Sequence, residues 1–457
     1  LALVKRIANQ TRPTISVRDL ISRAGKAIQQ LKPCWMMSPS SVAQYIEPGK
    51  LFFDLIIMDE ASQIRPAEAI GGLARGKKAV IVGDQMQLPP TAFFRKLSAG
   101  NDTEDGENEE GRKDSVLEAA AGRFHPLRRL KWHYRSEHDS LIKFSNTEFY
   151  SDRLIVFPSP YYDQPGFGVS LEQINGIYES GINKSEGKAV VSAAVDFMKE
   201  CPEQSLGIVA VNSRQAEFIR EKLDREIALN TQAAAYIQKW EPTLEPIFVK
   251  NLENVQGDER DVIFISTVYG KDKNGNFCQR YGTINSVYGH RRLNVLFTRA
   301  KKRMRVFTSM SPQDIQDEGR HLGVKVLKKY LQSARDGFSV NTNGVGGESE
   351  FEHWVLQVLR SYGYEGVPHV GVCGYSIDIA VRHPGKPGVF LCGIECDSAT
   401  CHNASSVRER ERLCHEILEK YGWRIYRIWS TDWFRDPGFQ TRQLIGYLQE
   451  LHPPMRQ

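Results

Sequence analysis

The sequence predicts an α/β protein built on parallel sheets, with a smaller α/β domain at its C-terminal end. Three observations carry this. The apolar runs before residue 341 are short and continuous, as in Leu55–Met58, where strands buried on both faces need such runs. They alternate with helical segments, the order that builds parallel sheets. After residue 350 the order changes to helix, two strands, helix and strand. With 457 residues, 41% hydrophobic and 25% charged, the composition is globular and suggests about three domains. No apolar run reaches the roughly 20 residues of a membrane span.

Taken in order, the expected strands are Phe52–Asp59, Lys78–Asp84, Leu206–Val211, Ile247–Lys250, Asp261–Tyr269 and Met304–Thr308. Several end in Asp, Asn or Gly, and ligands of such sheets sit beyond the carboxyl ends of the strands. Residues 99–115 hold six carboxylates between Asp102 and Glu110 and no large apolar side chain, which predicts a solvated, mobile insertion. Residues 341–349 are small and polar and read as a hinge. Beyond it, a helix is expected over Ser349–Tyr362, strands around Tyr375–Val381 and Val389–Asp397, and a helix from about Val407 to Tyr421. Ser406 and Glu409 form its capping box and Gly422 follows its end. A last strand, Arg424–Trp429, closes the unit. The domains are thus 1–125, 126–340 and 350–457, the last expected to fold by itself. Eight cysteines without a framework argue for a reducing compartment, the cytoplasm. The net charge of +5 names no partner.

Leu55-Ile56-Ile57-Met58-Asp59-Glu60 delivers two adjacent carboxylates at a strand tip. One can hold Mg²⁺ while the other orients or deprotonates an attacking water, as phosphoanhydride hydrolysis needs. Alone, the pair is equally a solvated turn. It is followed by VIVGDQMQLPP (80–90), KWHYRS (131–136), IVAVNSRQ (208–215), NVQGDERDVIFIS (254–266) and RRLNVLFTRAKKR (291–303). This ordered series resembles motifs II to VI of the superfamily 1 helicases, most closely the branch of the nonsense-decay and Dna-two-type helicases, over about residues 30–310.

The resemblance implies two RecA-like lobes, the first lacking its N-terminal part, with ATP and Mg²⁺ as cofactors. It gives Asp59 the magnesium role, Glu60 the water-activating role and Gln87, beyond Asp84, the sensing of the terminal phosphate. Arg135 and Arg299 become arginine fingers, while Gln256, Gly257 and Glu259 link nucleotide to nucleic acid. Arg292 and Arg299 are seven apart on an expected helix and so would share one face, placing Arg292 among the nucleotide-binding residues. The seven Lys/Arg of Arg291–Arg305 touch phosphates or form a solvated face. Trp132, His133 and Tyr134 stack on bases or belong to the core.

Such an ATPase needs the phosphate loop G-x-x-x-x-G-K-[ST]. The Gly-Lys pairs at 25, 49, 76, 187, 270 and 385 are never followed by Ser or Thr. Because the sequence opens on Leu1, the simplest account is a chain cut downstream of its phosphate loop. By itself it should not hydrolyse ATP efficiently, and an upstream segment of the same parent is the expected partner.

In the C-terminal region Asp378 leads into one strand, and Glu395 and Asp397 end the next on one shared face, opposite Cys392, Ile394 and Cys396. Oxygen ligands from Asp378 and Glu395 suit Mg²⁺ or Mn²⁺, with Glu352 and His402 as further ligands or proton-transfer groups. The stretches SEFEHWVLQVLRSYGY, GYSIDIAVRHP, GIECDSATCH and GWRIYRIWSTDWFRDP resemble the PD-(D/E)xK restriction-endonuclease-like domain of the very-short-patch-repair type. Asp397 stands where that group usually has lysine. Without C-x-x-C pairs, the cysteines read as buried thiols rather than a metal cluster. Arg408 and Arg412 clamp a phosphate or pair with neighbouring glutamates.

The expected function is an ATP-dependent helicase or translocase fused to a metal-dependent endonuclease-like domain, acting on nucleic acid, with DNA favoured and no membrane. The alternative is a non-catalytic nucleic-acid-binding module with two degenerate sites.

Overall fold

A computed structural model of the chain describes residues 1–12, 14–90, 115–338, 349–371, 373–396 and 412–452. It divides into two compact units, Leu1–Arg128 and Arg129–Gln457.

In the first unit, β1 (Ile56–Met58) and β2 (Ala79–Ile81) pair in parallel, with Ile57 opposite Val80. The helix Pro66–Leu73 makes the crossover, started by a proline at its first turn. Met58, Ala61, Ala69 and Val116 form a small core beneath the pair. The longer expected strands shrink to three residues each, since each strand finds one partner among the described residues. Ile57 is 65% and Val80 47% exposed, although both belong to apolar runs.

The second unit opens with β3 (Trp132–His133) paired to β4 (Ile155–Val156). Then follow β5 (Gly168–Gln173), a short hairpin of β6 (Tyr178–Glu179) and β7 (Ile182–Asn183), β8 (Leu206–Ala210), β9 (Phe248–Asn251), β10 (Arg260–Ser266) and β11 (Ala300–Thr308). Five of these form one parallel sheet in the order β5-β11-β10-β8-β9. The helices Lys184–Glu200 and Ser213–Leu229 start at Asn183 and Asn212, whose side chains accept the backbone N–H three residues on.

One expectation fails here. The helix carrying Arg292 spans Gly289–Phe297 and ends before Arg299, so the two arginines do not share a helical face. Ala300 already opens β11, a strand paired on both sides, Met304 lying opposite Ile263 and opposite Val169. The expected strand Met304–Thr308 thus starts four residues earlier, in a basic run whose lysines are paired. Lys301 pairs with Glu245 at 2.5 Å, Lys302 with Asp261 at 3.3 Å, and Arg305 with Glu172.

The C-terminal sheet has the order β12-β13-β14-β15, from Gly366–Val370, Ile377–Arg382, Phe390–Cys396 and Ile425–Ile428. The first three strands are antiparallel, and β15 joins β14 in parallel. The helix Glu350–Ser361 starts at a capping box between Ser349 and Glu352. Beyond β15 the chain adds two helices that the sequence reading did not expect, Ser430–Arg435 and Pro437–Leu451. One face of the sheet packs Val355, Leu359, Cys392, Ile394, Cys396 and Leu444 together.

The other face is not closed by residues 350–457 alone. Phe157 is fully buried in the same core as Val370, Ile377, Phe390, Leu418 and Trp423, with Trp132 and Tyr162 packed against it. Backbone and side-chain bonds fasten this seam: Trp423 Nε1–H to Pro158 O and Phe390 N–H to Pro160 O, both 2.8 Å, and Val156 N–H to Cys373 O, 2.9 Å. The acidic insertion up to residue 114, the hinge up to 348, Asp397, His402, the Ser406–Glu409 cap and Arg408 lie outside the described residues.

Candidate functional site

In the first unit Asp59 and Glu60 stand at the carboxyl end of β1, and Asp84 and Gln87 at that of its neighbour β2. Glu60 takes the left-handed conformation at φ 52°, which is costly for a side-chain-bearing residue and turns the chain sharply at the strand tip. Its N–H donates to Asp59 Oδ1 at 2.9 Å, and Gln63 Nε2 donates to Glu60 Oε2 at 3.2 Å. Asp84 organises the second tip, accepting from Met86 N–H at 2.8 Å and from Gln87 Nε2 at 3.1 Å. Gly83 allows the two tips to touch: a Cβ there would meet the Ser62 and Ala61 amides at 3.0 and 3.1 Å. Both acids of the Asp59-Glu60 pair are exposed, a placement that leaves oxygen ligands open to a hydrated Mg²⁺.

In the second unit Arg135, Glu259 and Arg299 come together, although they lie far apart in sequence. Arg135 Nε is 2.7 Å from Glu259 Oε2, and its Nη1 lies 3.5 Å from Thr298 O. Arg299 is buried and points to backbone: Nε donates to Val295 O at 2.8 Å and Nη1 reaches Asp258 O at 3.5 Å. Gly257 precedes Glu259 at φ 87°, and the buried Gln256 Nε2 has no partner among the described residues. The cluster sits at the amino ends of β10 and β11, where Arg260 is opposite Ala300, and not beyond the carboxyl ends that the strand endings suggested. Arg292 stands apart from it, donating to Ser286 Oγ at 2.9 Å and lying 3.7 Å from Glu253.

Two aromatic expectations separate. Trp132 packs edge-on against Phe157 and belongs to the seam, whereas Tyr134 is exposed. Burial pushes the His133 pKa down to about 3, so its Nε2 is an unprotonated acceptor for the Ser136 N–H.

In the C-terminal sheet the pair Ile379–Ile394 continues one step to place Asp378 opposite Glu395. Both are buried. Asp378 Oδ2 accepts the Cys396 N–H at 2.8 Å; Glu395 Oε1 accepts the Tyr375 hydroxyl at 2.8 Å, and its Oε2 is 2.7 Å from Arg427 Nη2. Adjacent carboxylates on one sheet face fit the hard-donor chemistry of a divalent cation. Among the described residues no group of three His, Cys, Asp or Glu side chains completes such a shell. Glu352 is buried with His369, 3.2 Å away, and its Oε1 has no partner among the described residues. Cys392, Cys396 and Cys414 are buried cysteines outside any disulfide, and burial pushes the Cys392 pKa up to about 12. Arg412 pairs with Glu416 at 2.8 Å, the non-phosphate reading of that residue.

Sequence reading missed Glu186. It follows Asn183 by three residues, and its N–H is capped by the Asn183 side chain. Its carboxylate instead runs into the sheet, meeting Val268 N–H and Ser266 Oγ at 2.7 Å and Ser309 Oγ at 3.0 Å. Complete burial pushes its pKa up to about 7 against those hydrogen bonds.

Residues 40–95 and 167–311 each match a family described as AAA domain, and residues 351–448 match the family described as REase_MTES_1575. The chain is 33% identical over 438 residues to the uncharacterized ATP-dependent helicase MG140 of Mycoplasma genitalium, an alignment covering 90% of the chain and 38% of that protein. It is 29% identical over 451 residues to the MG140 homolog of Mycoplasma pneumoniae, covering 93% and 38%. The human DNA replication ATP-dependent helicase/nuclease DNA2 is 23% identical over 56% of the chain and 24% of its own length. The chain thus spans well under half the length of these relatives. Two segments that match AAA-domain families in motif order, followed by a segment that matches a nuclease-type family, bear out the resemblance to superfamily 1 helicases with a restriction-endonuclease-like domain after the second helicase segment.

Proposed function

We propose that the chain is part of an ATP-dependent helicase or translocase acting on nucleic acid, with DNA the favoured substrate, in the cytoplasm. The carrying observation is the pair of neighbouring strand tips in the first unit, Asp59-Glu60 beside Asp84 and Gln87. In this reading Asp59 holds Mg²⁺, Glu60 activates water and Gln87 senses the terminal phosphate. Arg135 and Arg299 supply planar positive charge to the phosphoryl transition state. Gln256, Gly257 and Glu259 link the nucleotide to the nucleic-acid track, whereas Arg292, engaged with Ser286 and Glu253, no longer has the shared helical face that placed it among the nucleotide-binding residues. The domain boundaries 1–125, 126–340 and 350–457 mark the evolutionary parts, while the seam at Phe157 makes the last two one folding body. The phosphate loop comes from a segment of the parent outside these 457 residues. Ile57 and Val80, apolar yet exposed, support a first lobe with further layers to receive.

The second site is read as an endonuclease centre with Asp378, Glu395 and Asp397. A divalent cation there would neutralise charge on the scissile phosphate and position a water. The chain's own part is to hold Asp378 with the Cys396 amide and Glu395 with Tyr375 and Arg427. The non-catalytic reading has one supporting observation: both Glu395 oxygens are already engaged. Residues 1–457 should bind duplex or single strands with an affinity that falls steeply between about 50 and 200 mM salt, measured by fluorescence anisotropy. Salt-insensitive or absent binding removes the translocase reading. Asp378→Ala should abolish Mg²⁺- or Mn²⁺-dependent nicking with the fold intact. A chain that binds duplex but never cuts with either metal is the binding module instead.

A further inference from the structure

Residues 155–157, at β4, hold residues 373–375, which lead into β13. Val156 N–H donates to Cys373 O at 2.9 Å in an antiparallel bridge. Gly374 takes φ 79° and lies against Ile155, whose Cγ1 a Cβ would meet at 3.2 Å. The Tyr375 ring rests on Phe157, with centroids 4.7 Å apart and planes tilted by 40°. Phe157 is fully buried and is backed edge-on by Trp132, which pairs with Ile155 between β3 and β4. The seat of Tyr375 is therefore braced from outside residues 350–457. What it holds is a hydroxyl, which donates to Glu395 Oε1 at 2.8 Å. A tyrosine has two side-chain torsions, so fixing its ring fixes where its oxygen stands. A carboxylate held in advance gives up less freedom when it meets a cation, and the hydrogen-bonding partners of a ligand tune its metal affinity. Each carboxylate oxygen offers two lone pairs, so this bond leaves Oε1 able to take a cation.

We propose that Phe157 is a positioning residue of the nuclease centre, acting through Tyr375. Phe157 sets the Tyr375 ring, the ring sets its hydroxyl, and the hydroxyl orients Glu395 for a divalent cation. The centre is thus completed by a residue from the stretch 126–340 that is read as the second helicase lobe. A nuclease-like segment cut free at residue 350 keeps Asp378, Glu395 and Tyr375 but loses the seat. The proposal rests on the reading of Glu395 as a cation ligand.

The test uses residues 1–457, with thermal unfolding as the fold control and Mn²⁺ affinity by titration calorimetry, counting only the binding that Asp378→Ala removes. Tyr375→Phe should weaken it ~10-fold, the usual worth of a partner that orients a metal ligand. Phe157→Leu stays apolar but removes the ring, and should weaken binding ~3–10-fold by the same route. Phe157→Leu/Tyr375→Phe should match Tyr375→Phe alone within ~2-fold, because a ring without its hydroxyl has nothing left to misplace. Leu444→Ala, in the core on the opposite face of the sheet, should lower the melting temperature yet keep Mn²⁺ affinity within ~2-fold of wild type. Ile155→Ala disturbs the same seat more mildly and takes the place of Phe157→Leu if that variant does not fold, with the same loss expected. Wild-type Mn²⁺ affinity in folded Phe157→Leu, or single effects that multiply in the double variant, overturns the proposal and leaves Phe157 a core residue only. Absence of Asp378-dependent Mn²⁺ binding in wild type overturns the reading of Glu395 instead. The positioning is then decided without metal: 3-fluorotyrosine in place of Tyr375 should change its ¹⁹F shift in both Phe157→Leu and Glu395→Gln, and an unchanged shift in either overturns it.

Discussion

Strands β1 and β2 of the first unit and β8 and β10 of the second are alike in being mainly apolar, with Ile or Val in each. Ile263 and Ile208 are wholly buried between helices and neighbouring strands, while Ile57 and Val80 face solvent. Both pairs are parallel, and both position charged residues for the expected chemistry. The difference is the number of layers. The second sheet has five strands with helices packed on it; among the described residues the first has two strands over a small core. A parallel pair without its flanking strands cannot bury both faces, so apolar composition reports what a strand was built for rather than what it touches in a given chain.

The largest expected effect tests whether the first unit lacks a functional layer. Residues 1–457 should show only background ATP hydrolysis, and a version extended upstream should hydrolyse ATP with nucleic-acid stimulation. In that version Glu60→Gln should lower turnover by ~10²–10⁴, the usual worth of a positioned base. Robust ATPase from residues 1–457 would break the comparison, since the two-stranded sheet would then be complete.

Next in size is the seam. Phe157→Ala should cost about 3–5 kcal/mol in urea unfolding of the second unit, and residues 345–457 alone should unfold without a cooperative transition. A sharply cooperative isolated segment would show that the C-terminal core does not need Phe157. Within the sheets, Ile263→Ala should cost about 2–5 kcal/mol, whereas Ile57→Ala, already in water, should stay within about 0.5 kcal/mol. Equal costs would mean that β1 is covered in solution.

A further effect is a pH slope. Glu186 is pushed up to about 7 in the folded chain, against roughly 4.3 unfolded. A raised pKa contributes stability that is full below the unfolded value and fades as pH climbs towards 7. Wild type should therefore lose stability relative to Glu186→Gln between about pH 4.5 and 7, with a constant difference above that. A difference independent of pH would mean that the carboxylate is ionised throughout.

Which parts were legible follows from range. The apolar runs at Leu206–Val211 and Asp261–Tyr269, the cap at Ser349–Glu352 and the strand-tip acids Asp59 and Glu60 depend on neighbours within a few residues, and local pattern reports such features directly. Basic composition hid the first residues of β11, because Lys301 and Lys302 meet their acids only after distant segments converge. For the same reason Arg299 read as a continuation of its helix.

By itself, then, the sequence determined the parallel-sheet class, the order of the helicase motifs and the alternation that sets Glu395 opposite in face to Cys392, Ile394 and Cys396. All of these rest on backbone periodicity and short-range spacing. Only the tertiary structure decided that Arg135 meets Glu259, that Asp378 and Arg427 flank Glu395 on either side, that the Glu186 carboxylate reaches from its helix end into the sheet, and that Phe157 completes a core some 200 residues further along the chain. Register and long-range burial set these contacts, since a one-residue slip of a strand reverses every side chain on it, and no local spacing records which register the folded chain selects.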